Sequence, residues 1–264
     1  MRSSRSSSNQ TLAHRAVVSH DARHRGATRR ADNRSMDPLA GSTWSAPGTV
    51  AGFVASAPNT TLLEYARFMR RNGNRALDIG CGAGRNLVPL AEQGWTVAGV
   101  DLSRPMIEAA LQRGRQDGVA DRVCLALACM DALPVSDRSV DLIVAHGIWN
   151  LARADTEFRR GVAEAARVAR PDAGLFIFTF SRNTLPPDAN PEPGEAFVFS
   201  QFSGQPQCFL TSAQLLAELG AAGFTPDPAV PLVEHNLPQP GRLPAGKIPV
   251  IFEAAFRFTG AASA

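Results

Sequence analysis

A glycine-rich turn between a short apolar run and a helical pattern constrains this chain more than any other feature. The run Arg75–Ile79 is followed by Gly80, Gly82 and Gly84, and apolar residues with helical spacing begin at Leu87. Glycine adopts backbone conformations that other residues avoid, and it lets a ligand approach the main chain because it has no Cβ. The first N–H groups of the following helix point back toward such a ligand. The sequence therefore predicts a strand, a tight turn and a helix that form a ligand-binding loop.

A second predicted strand ends in an acidic residue that suits the same kind of site. The segment Trp95–Asp101 is largely apolar up to its last residue, which comes 17 residues after Gly84. An acid at the end of the second strand of a βαβ unit is placed to accept hydrogen bonds from ribose hydroxyls. A dinucleotide site would have the spacing G-x-G-x-x-G. Here the third glycine comes one residue earlier, and Arg85 stands where that glycine is expected.

The spacing instead resembles motif I of the class I S-adenosylmethionine-dependent methyltransferases, a [D/E]-x-G-x-G-x-G pattern that begins at Asp78. The resemblance, to the members that act on small molecules, implies S-adenosylmethionine as the cofactor and no metal. In this family an acid after the third strand binds the adenine amino group and an apolar neighbour packs on the ring; the alternative for Asp131 is a helix or turn cap. The implied cofactor-binding residues are Asp78, Gly80, Cys81, Gly82, Gly84, Asp101, Leu102, Met130 and Asp131.

The same resemblance implies the fold, an α/β domain with a doubly wound, Rossmann-like sheet of seven mainly parallel strands. The expected strand order is 3-2-1-4-5-7-6, with the last strand antiparallel. Nearly continuous apolar runs support strands that are covered on both faces. We expect a methyltransferase domain over 36–264, with a cap segment at 44–72 and a sheet core at about 73–258. The strands are predicted at 75–79, 95–101, 122–129, 139–145, 175–180, about 229–234 and 249–258.

Residues 1–35 differ in composition from the rest of the chain. They contain eight arginines and many serines, without apolar periodicity, and we expect them to be disordered. The composition also fits an organellar transit peptide. A dispensable extension, with translation starting at Met36, is the interpretation that we prefer. A cytoplasmic location follows from that choice and from cysteines without paired spacing. No apolar run approaches the length of a membrane-spanning helix.

The distribution of charged residues along the chain bears on whether the substrate is a nucleic acid or a small molecule. Outside residues 1–35 acids slightly outnumber bases, so the predicted domain has no bulk positive charge for a phosphate backbone. Family members that methylate amino groups of planar bases often carry an Asn/Asp-Pro-Pro-aromatic motif after the fourth strand, where this chain has Ala145–Ile148. We therefore expect a small-molecule substrate, no nucleic acid and no membrane. The oligomeric state is left open.

Candidate catalytic and substrate-binding residues follow the fourth strand. His146 is the titratable residue at its end and is the predicted general base, with a cofactor contact or a loop-stabilising role as alternatives. Trp149 and two phenylalanines of the long insertion at 181–209, Phe199 and Phe202, are predicted to bind substrate. Their alternative is ordinary core packing.

The predicted function is S-adenosylmethionine-dependent methyl transfer to a small molecule. A nucleic-acid methyltransferase, specifically of RNA, is the alternative enzyme. A non-catalytic module that binds S-adenosylmethionine is the alternative from another class, because no residue is indispensable for the chemistry. A nicotinamide-dependent oxidoreductase is the third possibility. The acceptor atom and the substrate are not determined by the sequence.

Overall fold

The computed structural model describes residues 37–70, 72–237 and 248–260, so the predictions for residues 1–35 lie outside the described residues. The α-helices are α1 (Pro47–Ala55), α2 (Thr60–Met69), α3 (Leu87–Glu92), α4 (Arg104–Gln116), α5 (Asp155–Val168) and α6 (Ser212–Ala221). The strands are β1 (Arg75–Ile79), β2 (Thr96–Asp101), β3 (Val123–Leu127), β4 (Val140–His146), β5 (Ala169–Phe180), β6 (Val198–Phe199), β7 (Gln207–Cys208), β8 (Phe224–Pro226), β9 (Val233–His235) and β10 (Ile251–Phe258).

One mostly parallel sheet organises the chain. Its order is β3-β2-β1-β4-β5-β10-β8, and β9 also pairs with β10. Strands β1 to β5 are parallel neighbours, whereas β10 runs antiparallel to β5. The predicted doubly wound sheet, its strand order and its antiparallel last strand are confirmed. Because β1 lies between β2 and β4, the turn after β1 and the segment after β4 emerge side by side.

The sixth position of the sheet differs from the prediction of one strand near 229–234. Two short strands share that edge of β10: β8 pairs with its end and β9 with its beginning. Pro228 and Pro231 lie between them. Proline has no N–H to donate to a strand ladder, so a continuous strand across these positions is disfavoured.

The sheet is covered on both faces, which explains its apolar strands. Side chains alternate between the faces, so that neighbours such as Ala76 and Leu77 belong to different apolar clusters. Helices α2 and α3 pack on one face, together with part of α4. Helices α5 and α6 pack on the other.

Side-chain caps mark the first turns of three helices. The Asn59 side chain accepts a hydrogen bond from the Leu62 amide, and the Ser103 hydroxyl accepts one from the Met106 amide. Thr211 forms a reciprocal capping box with Gln214. These bonds satisfy backbone donors that a helix leaves free at its start, and so fix where α2, α4 and α6 begin.

Two segments without a clear sequence pattern nevertheless have defined structure. The Gly/Pro/Ala-rich segment before α2 contains α1, none of whose residues is buried. The long insertion after β5 contains the β6–β7 hairpin and an apolar cluster of its own. Among the described residues, no helix has the length and hydropathy needed to cross a membrane.

Candidate active site

A cavity of about 530 Å³ opens at the carboxyl ends of the central strands. This is the edge at which open α/β sheets bind their ligands. Its wall comes from the glycine turn, the ends of β2 and β4, the segment after β3, and the region around α1. The residues that line it are Leu39, Trp44, Phe53, Ser56, Gly80, Gly82, Arg85, Val100, Asp101, Leu102, Met106, Ala128, Cys129, Met130, His146, Gly147, Ile148, Leu151, Arg153, Glu157 and Phe178.

The glycine turn has the backbone that its sequence predicts. Gly80 and Gly82 have φ values of 71° and 51°, in the left-handed region that favours glycine. A Cβ built on Gly80 would lie 2.8 Å from Ile148 Cδ1, and one on Gly82 would lie 3.3 Å from Phe53 Cδ1. Both glycines line the cavity, whereas Gly84 packs against Ala110 of α4. Glycine at 80 and 82 therefore keeps this part of the cavity open.

Asp101 joins the end of β2 to the glycine turn. Its Oδ2 accepts a hydrogen bond from the Gly82 amide at 2.9 Å, and its Oδ1 accepts one from the Ser103 amide at 2.8 Å. Burial raises the pKa of this carboxyl, and the backbone hydrogen bonds oppose that rise. Each carboxylate oxygen has a further lone pair, so Asp101 can still accept hydrogen bonds from a ligand in the cavity.

Asp78 lies behind the turn and is only 2% exposed. Burial raises its pKa to about 7; the nearby Arg85 opposes this rise and Asp101 adds to it. Asp78 is not among the residues that line the cavity. The neighbouring Cys81 is also buried, and burial raises the pKa of its thiol well above the usual range. A buried carboxyl of this kind favours a nearby cation, since a cation stabilises its charged form.

The residues expected near an adenine ring are brought together only in part. Leu102 and Met130 line the cavity beside Asp101, as does Cys129, which the sequence did not indicate. The Asp131 carboxylate lies outside the lining and accepts a hydrogen bond from Arg160 Nε at 3.0 Å. The adenine role of Asp131 therefore stays a prediction, and the structure gives this carboxylate a different partner.

Both ring nitrogens of His146 face N–H donors. Arg85 Nη2 lies 2.9 Å from Nδ1 and Asn59 Nδ2 lies 3.3 Å from Nε2. A guanidinium only donates, so Nδ1 must be the acceptor, and the single proton of the neutral ring is then on Nε2. The ring also stacks on Phe178, with centroids 4.1 Å apart.

These surroundings disfavour His146 as a general base. Burial, and then the charge of Arg85, lower its pKa to about 3. The imidazole is therefore neutral at neutral pH, but its lone pair is already engaged by Arg85. A base at neutral pH needs a pKa near 7 and a free lone pair. The contacts favour the alternative interpretations, a cofactor contact or a loop-stabilising role at the end of β4.

The three predicted substrate-binding aromatics do not line the cavity. Trp149 is fully buried in the core, where its ring meets Phe158 at 6.0 Å and its indole nitrogen lies against Gly161 of α5. Phe199 and Phe202 pack around Phe209 in the insertion. The core-packing alternative therefore describes their surroundings. Trp149 turns away from the cavity because the short helical turn Trp149–Leu151 directs it toward α5.

Among the cavity residues without a signal in the sequence are Arg85, Phe178, Phe53 and Ile148. Arg85 was noted only because it stands where a dinucleotide site has glycine. Phe178 lies inside an apolar strand, and its position beside His146 depends on the β4–β5 register. Phe53 and Ile148 reach the glycine turn from segments distant in sequence. No local pattern distinguishes such residues from ordinary core residues.

Part of the chain is similar in sequence to known methyltransferases. A family model described as a methyltransferase domain matches residues 76–172. Methyltransferase GfsG of Streptomyces halstedii is 35% identical over 136 residues, which cover 51% of this chain and 48% of that protein. A demethylmenaquinone methyltransferase of Lactiplantibacillus plantarum is 37% identical over 114 residues, covering 42% and 46%. The chain thus spans about half the length of the curated relatives it matches.

Solved structures show the same fold. A S-adenosylmethionine-dependent methyltransferase from Mesorhizobium loti aligns with a TM-score of 0.56 and 19% identity, covering 75% of this chain and 98% of that one. The 1,6-didemethyltoxoflavin-N1-methyltransferase of Burkholderia thailandensis, solved with 1,6-didemethyltoxoflavin and S-adenosylhomocysteine bound, aligns with a TM-score of 0.53 and 21% identity, covering 75% and 78%. Residues 76–172 thus match a methyltransferase-domain model, and the chain has the fold of the S-adenosylmethionine-dependent methyltransferases with which it aligns.

Proposed function

We propose that the protein transfers a methyl group from S-adenosylmethionine to a small-molecule acceptor. The observation that carries this proposal is the cavity in which Asp101 and the glycine turn face the same space. A carboxylate with free lone pairs suits ribose hydroxyls, and a turn without Cβ atoms lets an amino-acid chain lie against the backbone. Leu102 and Met130 offer apolar contacts for a planar ring. The residues present therefore fit this cofactor.

When bound, S-adenosylmethionine supplies an electrophilic methyl group on a sulfonium, whose leaving group is a neutral thioether that needs no general acid. The contribution of the chain is to hold the reactants in line and to exclude water. Phe53, Ile148 and Phe178 line the cavity with apolar surface. His146 supplies no strong base to the acceptor, because its pKa is lowered to about 3 and Arg85 engages its lone pair.

The cavity favours a small acceptor over a nucleic acid. Its wall is mostly apolar, and its charges are mixed: Asp101 and Glu157 face the same space as Arg85 and Arg153. Binding to a phosphate backbone requires a surface with excess positive charge, which this wall does not present. One of the relatives named above is a demethylmenaquinone methyltransferase, and its name gives a small molecule as the acceptor. A cytoplasmic location is part of the same proposal.

Calorimetry with S-adenosylhomocysteine tests the cofactor assignment. We expect the product cofactor to bind and to raise the melting temperature, and NAD to do neither. Asp101→Ala removes a charged acceptor worth about 1.5–3 kcal/mol. Affinity should therefore fall at least about tenfold. Asp121→Ala, which removes an exposed acid outside the cavity, is the matched control.

Undiminished affinity in Asp101→Ala would contradict the ribose assignment, and stabilisation by NAD instead would favour an oxidoreductase. Catalysis is tested separately, by incubating the protein with methyl-labelled S-adenosylmethionine and metabolite extracts. Label in a small molecule supports the proposed enzyme. Binding without transfer to metabolites or to added RNA would indicate a module that only binds S-adenosylmethionine.

A further inference from the structure

Arg85 presents a positive charge to the cavity without a salt bridge, and Asp78 is the acid whose charge interacts with it at longer range. Its side chain lines the wall, and its hydrogen bond to His146 Nδ1 is the only one that the described part of the chain gives it. Within those same residues no carboxylate lies within ion-pair distance of its guanidinium. By contrast Arg153, the other arginine of the wall, is paired with Glu157 at 3.7 Å. A guanidinium has five N–H donors, so most donors of Arg85 are available to a ligand.

The first amides of the glycine turn are not free to donate hydrogen bonds to a ligand. The N–H groups of Gly80 and Cys81 both donate to the Val100 carbonyl, at 2.8 and 2.9 Å, and the N–H of Gly82 donates to Asp101. An anion placed against the turn therefore finds these three donors already used. The free guanidinium next to them is the strong donor that remains in the wall, and its fork geometry matches a carboxylate.

We propose that Arg85 binds a carboxylate in this cavity and that His146 positions its guanidinium. This inference rests on the proposed function, because the amino-acid end of the cofactor carries such a carboxylate. A carboxylate on the acceptor is the second possible source. In the first case the charge of Asp78, which is buried behind the turn and does not line the cavity, favours the ammonium of the same amino acid at longer range. Neither Asp78 nor Arg85 has a salt bridge among the described residues, although their two charges attract each other.

His146 is suited to positioning because its ring is held in place by Phe178, which stacks on it with centroids 4.1 Å apart. Nδ1 then accepts from Arg85 in one fixed direction, and this sets where the guanidinium points. Nε2 carries the ring proton and lies 3.3 Å from Asn59 Nδ2, which is also a donor, so that contact is not a hydrogen bond.

The first experiment compares two ligands that differ by one carboxylate. Calorimetry measures binding of S-adenosylhomocysteine and of its decarboxylated analogue to the wild type, Arg85→Gln and Arg85→Lys. We expect the wild type to prefer the carboxylated ligand by about tenfold or more, the scale of one charged hydrogen-bonded pair. The preference should nearly vanish in Arg85→Gln and be partly kept in Arg85→Lys, which retains the charge but not the fork.

The second experiment tests the acceptor as the source. The wild type and Arg85→Gln, both saturated with S-adenosylhomocysteine, are titrated with benzoate and benzamide, and with naphthoate and naphthamide. A preference for the acids that disappears in Arg85→Gln assigns the carboxylate to the acceptor. The inference is overturned if Arg85→Gln alters neither preference, or if the wild type shows neither. Failure of the wild type to bind S-adenosylhomocysteine would instead count against the proposed function.

The positioning role of His146 is tested by the same ratio of affinities. His146→Ala should reduce the preference for the carboxylated ligand, whereas His146→Asn, which offers Oδ1 near the place of Nδ1, should restore part of it. A purely structural role would weaken both ligands equally and leave the ratio unchanged. That result would overturn the assignment of His146 while leaving Arg85 to be decided by its own variants.

Discussion

The state of a titratable residue depends on neighbours that its own motif does not reveal. The pattern around Asp78 predicts an acid beside the cofactor, but not that burial raises its pKa to about 7. His146 illustrates the same limit more strongly. A histidine at the end of a central strand suggests a base, yet Arg85 and the packed surroundings lower its pKa to about 3. Both effects come from residues that only the fold brings together.

Asp78 leads to a prediction about protons released on binding. At about pH 6 the buried carboxyl is mostly protonated in the free protein, because its pKa is about 7. If the ammonium of S-adenosylhomocysteine binds beside it, the charged carboxylate is favoured and the proton leaves. Calorimetry in two buffers of different ionisation enthalpy should therefore detect release approaching one proton. Asp78→Asn should release almost none. Equal release by the wild type and the variant would show that another group titrates.

Among the secondary-structure elements, those with a clear sequence pattern were predicted correctly, whereas the short strands were not. The turn after β1 follows from its local pattern, and the order of the sheet follows from the resemblance. The strands β6, β7, β8 and β9 have only two or three residues each, too few to show a period. Helix α1 was not predicted for another reason: its glycines, proline and small residues disfavour a helix in isolation.

Helix α1 gives a prediction at this scale because it covers the cavity without being buried itself. Phe53 approaches the glycine turn and also contacts Trp44, with ring centroids 6.1 Å apart. Phe53→Ala should weaken S-adenosylhomocysteine binding by about 1 kcal/mol, roughly fivefold, as partial loss of a buried aromatic contact would. Val54→Ala, on the same helix but 45% exposed and outside the lining, is the control.

The expected cause is faster dissociation of the ligand, which stopped-flow fluorescence can measure. The free energy of unfolding should change little in either variant, since α1 contributes no buried residue. If Phe53→Ala and Val54→Ala bind the ligand equally well, α1 does not contribute to its retention.

For the whole molecule, Asp78 and His146 have opposite effects on how stability depends on pH. The folded pKa of Asp78 is about 7, above its ordinary 3.8, so its contribution to stability is full at low pH and is lost as pH rises through 7. The folded pKa of His146 is about 3, below its ordinary 6.5, so its contribution is present above 6.5 and is lost as pH falls toward 3. Between about pH 4 and 6.5 the folded and unfolded states therefore bind equal numbers of protons at these two sites.

We accordingly expect the unfolding free energy of the free protein to vary little from these sites between about pH 4 and 6.5, and to fall as pH rises through 7. Asp78→Asn removes the contribution of Asp78 to the pH dependence of the unfolding free energy and leaves that of His146. Its stability should rise across the same interval by about 1.4 kcal/mol per pH unit, because His146 alone then sets the slope. Urea unfolding at several pH values measures both profiles, with Asp121→Asn as a surface control. Parallel profiles for the wild type and Asp78→Asn would show that Asp78 is ionised in the folded protein throughout, and that the site holds its charge without a ligand.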